Sequence, residues 1–545
     1  MKRFSKFLIL AAASFATVAC TENNTESLED SSDSRVEDTT TLGSTEAKAK
    51  YIFYFIGDGM SATQLNLAEA ALYFEDFEQK CALQTGTATR ASVGIGDLKL
   101  RQMPVVGMAT TYAADRYITC SAAAATALAT GEKTNIDYIS VSADDRSTPL
   151  KTIAEMAKES GMKVGIVSSV SIDHATPACF YAHTGDRNSY QEIGYQLLDT
   201  GFDYFGGGSV RWNKHTGVSS DKAVAYSVYK QLAEAKGFNY VTNTESFNAL
   251  VGPQNQPVIA TLQMLSEEQN TTDGSALPYS IDFNSDVVSN EYNRLTLADF
   301  TEKGAEIMEN ENGFFMMVES GKIDWTCHAN DAVTSAYEMV AFDNAIGKAI
   351  EFYSKYPDET LIVVTGDHDT GGLTLGFAGT SYDNAFELLM GQTVSYQEFS
   401  GVASDMMDAG KSFDEVMVYI SQAFGLVNEV TDGSDSKYSN GSNELSDYEM
   451  GLLENAFYQS RDGVIVDNIG ADDVYTTLYS FGGYDPLTTT CVHILNNKAG
   501  LEFSTYAHTA VPVPVFAMGA QQDLFNGYYD NTDVAKKIME AADLK

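Results

Sequence analysis

YIFYFIGDGM, residues Tyr51–Met60, runs an apolar segment straight into Gly-Asp-Gly. Its opening residues are aromatic or β-branched, the composition of a strand buried on both faces of a sheet. Glycine lets the backbone turn sharply and approach a ligand closely, and Asp58 is presented at the carboxyl end of the strand, where open α/β folds place their chemistry. Asp and Gly are also ordinary turn formers. Asp58 therefore gains meaning only if other strand ends are built the same way.

Several are. Lys163–Ser169 (KVGIVSS) reads as a parallel strand whose exit carries His174 and Thr176, then His183 and Arg187. Gly313–Ser320 (GFFMMVES) is a buried strand ending at Glu319, and Asp324 and His328 follow four residues apart, on one face of any helix that begins there. Leu361–Thr365 ends in Gly-Asp-His, offering Asp367 and His368 from one short loop. Far downstream, His508 precedes the strand Val513–Met518. With seven histidines in the whole chain, three beside carboxylates at strand boundaries point to metal ligation more than to turn chemistry. Carboxylate with imidazole suits zinc, and an all-oxygen set suits magnesium. These alternations predict an α/β fold with a central, mostly parallel sheet and helices on both faces.

Ser121 opens SAAAATALATG, a helix of small residues ending at Gly131. Two roles stay open for it: an N-cap, or a nucleophile toward a phosphoryl group at a positive helix end. Arg187 has the forked guanidinium that grips two phosphate oxygens, although a lone arginine is more often a surface ion pair.

The flanks place the protein. Residues 1–20 combine a basic start, an apolar run and Ala19-Cys20, the order of an export signal of lipoprotein type with Cys20 lipidated. Residues 21–50 are acidic and polar, a disordered tether. The expectation is a periplasmic or outer-membrane lipoprotein of a Gram-negative bacterium. A net charge of -41 with pI ≈ 4.3 excludes a nucleic-acid-binding surface, because phosphate backbones require a cationic footprint. The remaining cysteines, Cys81, Cys120, Cys179, Cys327 and Cys491, show no CxxC site. The catalytic body is expected over 51–545, with insertions at about 206–300 and 373–505.

The pieces FIGDGM, TCSAAAATALATG, HATPACFYAHTGDR, VESGKIDWTCHAND, VTGDHDTGG and AHTAVPVPVFAMG, in this order and spacing, resemble the alkaline phosphatase family from Tyr51 to about Gly519. The resemblance implies a phosphate-monoester hydrolase with two Zn2+ and one Mg2+ per chain. It places Asp324, His328 and His508 on one zinc. Asp58, Asp367 and His368 would hold the second, with Ser121, and Asp58, Thr176 and Glu319 the magnesium. It implies a phosphoserine intermediate on Ser121, Arg187 as phosphate clamp, small phosphomonoesters as substrates and a homodimer. Three residues depart from its best-known bacterial members: Cys120 replaces Asp beside the nucleophile, and His174 with Trp325 near the third ion leaves Co2+ or Zn2+ open there. The rivals are a phosphodiesterase or sulfatase of the same superfamily, and a non-catalytic surface binding protein.

Overall fold

A computed structural model describes residues 46–83, 95–212, 222–261, 275–284, 295–428, 443–462 and 478–545. The expected leader and most of the tether lie outside the described residues. In chain order the strands are β1 Tyr51–Gly57, β2 Val105–Thr110, β3 Lys163–Ser168, β4 Tyr204–Gly207, β5 Asn239–Val241, β6 Val258–Thr261, β7 Phe314–Ser320 and β8 Thr360–Gly366. They continue with β9 Asp369–Thr370, β10 Leu373–Thr374, β11 Glu502–Phe503, β12 His508–Thr509, β13 Val513–Gly519 and β14 Gly527–Asp530.

Ten of these form one sheet in the order β14-β2-β13-β8-β1-β7-β3-β4-β6-β5. The stretch at 51–57 lies at its centre, parallel to both β7 and β8, with Gly57 opposite Ser320 and Gly366. Alternate β1 side chains enter two different cores. Ile52, Tyr54 and Ile56 meet the small-residue helix Ser121–Thr130 and the helix Asn531–Ala542, while Tyr51, Phe53 and Phe55 meet the helices Leu297–Met308 and Ala332–Tyr353. A side chain such as Phe53 or Phe55, fully buried, contributes about 1.5–3 kcal/mol through removal from water. The expected α/β architecture, with helices on both faces of a mostly parallel sheet, is therefore what the chain adopts.

β13 alone runs against its neighbours β8 and β2. Its start consequently lies at the same edge as the ends of β1, β7 and β8, so His508 reaches that edge from the far end of the chain. The span from about 206 to 300 lengthens the sheet through β5 and β6. The described part of the span 373–505 is largely helical and packs its own core, with Phe399, Ile420, Phe457 and Leu495 against Leu67 and Val333 of the body. Helices near 413–424 and 447–458 are predicted from the sequence, and they form at Phe413–Phe424 and Asp447–Asp462. Cys120, Cys179, Cys327 and Cys491 are free thiols.

Candidate metal centre and nucleophile

Asp58 leaves β1 with its amide on the Ser320 carbonyl (3.2 Å). The next residue, Gly59, has φ +76°, and a Cβ there would lie 2.9 Å from both Asp324 Cα and Thr370 Oγ1. Glycine is thus required for three segments to meet at this corner. Its amide donates to Asp367 Oδ1 (3.0 Å), as does the amide of His368 (2.8 Å). One carboxylate oxygen of Asp367 is fixed in this way, and the other, Oδ2, is buried with no hydrogen-bond partner.

Asp58, Asp367 and His368 form one convergent group, and Asp324, His328 and His508 a second; within each, the ligand atoms lie within 4.8 Å of one another. In the second, His328 Nε2 is 3.2 Å from His508 Nε2 and 3.3 Å from Asp324 Oδ1. Each imidazole is oriented from behind, His328 Nδ1 by the Tyr506 carbonyl (2.6 Å) and His508 Nδ1 by the Thr119 carbonyl (2.8 Å). With Nδ1–H donated in both rings, the two Nε2 atoms face a common point, the arrangement that a metal ligand needs once Nε2 is unprotonated. His508 is delivered by the antiparallel pair β12–β9, in which it lies opposite Thr370, and its ring stacks on His368 at 3.7 Å.

Ser121 Oγ lies 3.3 Å from His368 Nε2 and 3.5 Å from Asp58 Oδ1. The N-cap position belongs to Cys120, whose side chain makes no cap bond; Cys120 Sγ accepts from the Asp137 amide (3.3 Å) instead. The cap role left open for Ser121 is therefore not the one it takes, and its hydroxyl is turned into the first ligand group. Thr176 Oγ1 lies 3.4 Å from Asp58 Oδ2 and also stabilises the Glu319 carboxylate. Glu319 Oε2 accepts from Ser168, and Glu319 Oε1 is buried without a partner. His174 packs edge-on against Trp325 (5.9 Å between ring centroids) beside this corner. Arg187 is half-buried, and its guanidinium has no hydrogen bond or ion pair among the described residues. His183, in the same sequence run, is held by the Ser140 carbonyl and Glu155 and stands apart from the site.

The electrostatics show what the cluster lacks. Burial, then Asp367, Asp324 and Glu319, push Asp58 well above the usual carboxylate range; burial does the same to Asp367 and takes Glu319 up to about 7. Burial opposes the charge of Asp324, but His328 and His508 outweigh it and hold that carboxyl well below its ordinary value. His328 is likewise opposed by burial yet lifted by Asp324 to about 9, while burial and the neighbouring His508 hold His368 well below the ordinary imidazole value. Asp58, Glu319 and Asp367, three buried carboxyls raised together, two of them with an orphaned oxygen, would be ionised together by divalent cations. The donor set fits such ions.

Sequence reasoning overlooked Thr370. Its hydroxyl donates to Asp324 Oδ1 (2.6 Å) and faces His368 Nδ1 (3.2 Å), tying the two groups together. The signal was its spacing: two residues beyond His368 in an extended run, it shares that residue's side of the backbone.

A family model for alkaline phosphatase matches residues 49–544. Alkaline phosphatase 3 of Bacillus subtilis is 28% identical over 502 residues, spanning 90% of this chain and 88% of its own length. The repressible alkaline phosphatase of Saccharomyces cerevisiae is 25% identical, over 91% of this chain and 81% of its own. Among solved structures, the cold-active alkaline phosphatase of a psychrophilic Shewanella sp. superposes with a TM-score of 0.67 at 28% identity, covering 90% of this chain and 99% of that one. The chain belongs to the alkaline phosphatase family, and it is a hydrolase of the phosphomonoester-cleaving type that defines the family.

Proposed function

We propose that the protein hydrolyses phosphate monoesters of varied alcohols through a phosphoserine on Ser121. The observation that carries this is the placement of the Ser121 hydroxyl within 3.5 Å of Asp58 and His368, at the start of a helix whose first amides have no intrahelical acceptor. Asp324, His328 and His508 would hold one zinc, and Asp58, Asp367 and His368 with Ser121 the other. Asp58, Thr176 and Glu319 would hold magnesium, beside His174 and Trp325. When bound, these ions lower the pKa of the serine hydroxyl, stabilise the leaving oxygen and activate water.

The chain's own residues do the rest. Ser121 Oγ attacks phosphorus in line, and the alcohol leaves from the opposite side. Water then attacks the phosphoserine from that vacated side, so two displacements give net retention at phosphorus. Arg187, which makes no close ion pair among the described residues, grips the non-bridging oxygens through both displacements. Cys120 replaces a carboxylate that would have held that guanidinium. A site that grips the phosphoryl end asks little of the alcohol, and broad monoester specificity follows. Export as a lipoprotein and homodimer formation belong to the same proposal; among the described residues, no helix is long and apolar enough to cross a membrane.

Turnover of an aryl monophosphate against a bis-aryl phosphate, with and without zinc chelation, tests the proposal. Faster monoester cleavage, abolished by chelation and restored by zinc with magnesium, is expected. Faster diester cleavage, or full turnover in stripped protein, would overturn it.

A further inference from the structure

Asn330 lies two residues beyond His328 with φ +57°, a left-handed backbone that asparagine tolerates better than most residues. Its Nδ2 donates to the carbonyls of Cys327 (2.9 Å) and Thr505 (3.0 Å). Its Oδ1 accepts from His493 Nε2 (3.1 Å), and its backbone carbonyl accepts from Asn496 Nδ2 (2.8 Å). Exchanging O and N in this amide would set an oxygen against two carbonyls, so its orientation is determined by its partners.

One amide thereby joins two remote pieces of chain. The Cys327 carbonyl belongs to the helix Lys322–His328, which carries Asp324 and His328. Thr505 is followed by Tyr506, whose carbonyl orients His328 (2.6 Å), and His508 comes two residues later. The partners of Asn330 come from a third place, the helix Pro486–Ala499 in the late insertion, where His493 and Asn496 share a face at i, i+3 spacing. Burial takes His493 down to about 4, so it is neutral and its Nε2–H donates. Tyr506 is held on the same side: its ring stacks on His493 (5.9 Å), and its hydroxyl donates to the Ser480 carbonyl (2.7 Å). That helix is part of the insertion's own core, with Leu487, Val492 and Leu495 packed beside Phe399 and Leu453.

We propose that Asn330, gripped by His493 and Asn496 of the insertion, is a positioning residue that presets the Asp324, His328 and His508 group for its cation. The inference rests on that group being a metal site and adds what makes it a tight one. Partners that orient ligands from behind are worth about 10–100-fold in metal affinity. The insertion therefore acts chiefly on this ion, and far less on the one held by Asp58, Asp367 and His368.

The test is zinc release from the full-length holoprotein to a chromophoric chelator, for wild type and for Asn330→Ala, Asn496→Ala, His493→Leu and His493→Gln. Expected is one zinc equivalent per chain held about 10–100-fold more weakly in the first three, the other equivalent unchanged, and near-wild-type behaviour in His493→Gln, which keeps an N–H donor. If Asn330→Ala does not fold, the contrast between His493→Leu and His493→Gln decides alone. Two equivalents released as in wild type, or both loosened alike, would overturn the inference while leaving the metal site standing. Wild-type protein that binds no zinc would overturn the metal reading itself, and this inference with it.

Discussion

Asp58, Asp367 and His368 leave two adjacent parallel strands and are buried, whereas Asp324, His328 and His508 come from a helix and from the chain's return, with both histidines half-buried. The first group is held by backbone amides at a fixed strand register. The second is held by carbonyls of the 505–506 and 119 segments and, through Asn330, by the insertion. The floor of the site is thus a property of the sheet, and its outer part a property of how distant loops are pinned. A change in the floor should remove chemistry, while a change in the outer group should first alter affinity and pH response.

The largest effect is expected from Ser121→Ala, which keeps Asp58, Asp367 and His368 and takes away the hydroxyl that accepts phosphorus. Monoester turnover should fall on the order of 10⁴-fold or more, with zinc content unchanged by elemental analysis. Next comes Arg187→Ala, expected to lower kcat/KM about 100-fold and to weaken inhibition by inorganic phosphate, with the fold intact by circular dichroism. An Arg187→Ala protein with ordinary phosphate inhibition would mean that some other group grips the oxygens.

The strand ends were legible because burial on both faces writes unbroken apolar runs, so Asp58, Glu319 and Asp367 stood out where those runs stop. His508 could be suspected from its neighbours, but its arrival required β13 to run antiparallel, which pairing decides and local composition does not. Thr370 and Asn330 were not assigned roles. Their work is done by hydrogen bonds to residues up to 175 positions away; local spacing sets only which side of the backbone Thr370 shares with His368, and it names no such distant partner. The same limit hid the helices Tyr396–Asp408 and Pro486–Ala499 of the insertion, whose apolar faces are interrupted by polar residues that become buried, Gln397 in the first and Thr488, Thr489 and Asn496 in the second.

The outer group should also respond to pH. In metal-free protein His328 titrates near 9 because Asp324 stabilises its protonated form against the cost of burial. Its folded value lies above the unfolded one, so its contribution to stability is fully present below about 6.5 and is lost as pH rises through about 9. Metal must displace that proton. Zinc affinity of this group should therefore climb about tenfold per pH unit between roughly 7 and 9 and then level off, which competition with a chelator at several pH values would show. A flat profile would mean that Asp324 and His328 do not form an ion pair before metal arrives. The smallest effect is expected from Cys120→Asp. A carboxylate beside Arg187 should change phosphate affinity by only a few-fold, within the range of an exposed or partly exposed ion pair, measured as the inhibition constant of inorganic phosphate.

The central claim is that phosphorus passes through Ser121. Acid quenching during turnover of a labelled phosphomonoester, followed by peptide mapping, tests it most directly. The expected result is a covalent phosphoryl group on the peptide carrying Ser121, absent in Ser121→Ala. A phosphorylated peptide elsewhere, or undiminished turnover in Ser121→Ala, would contradict it.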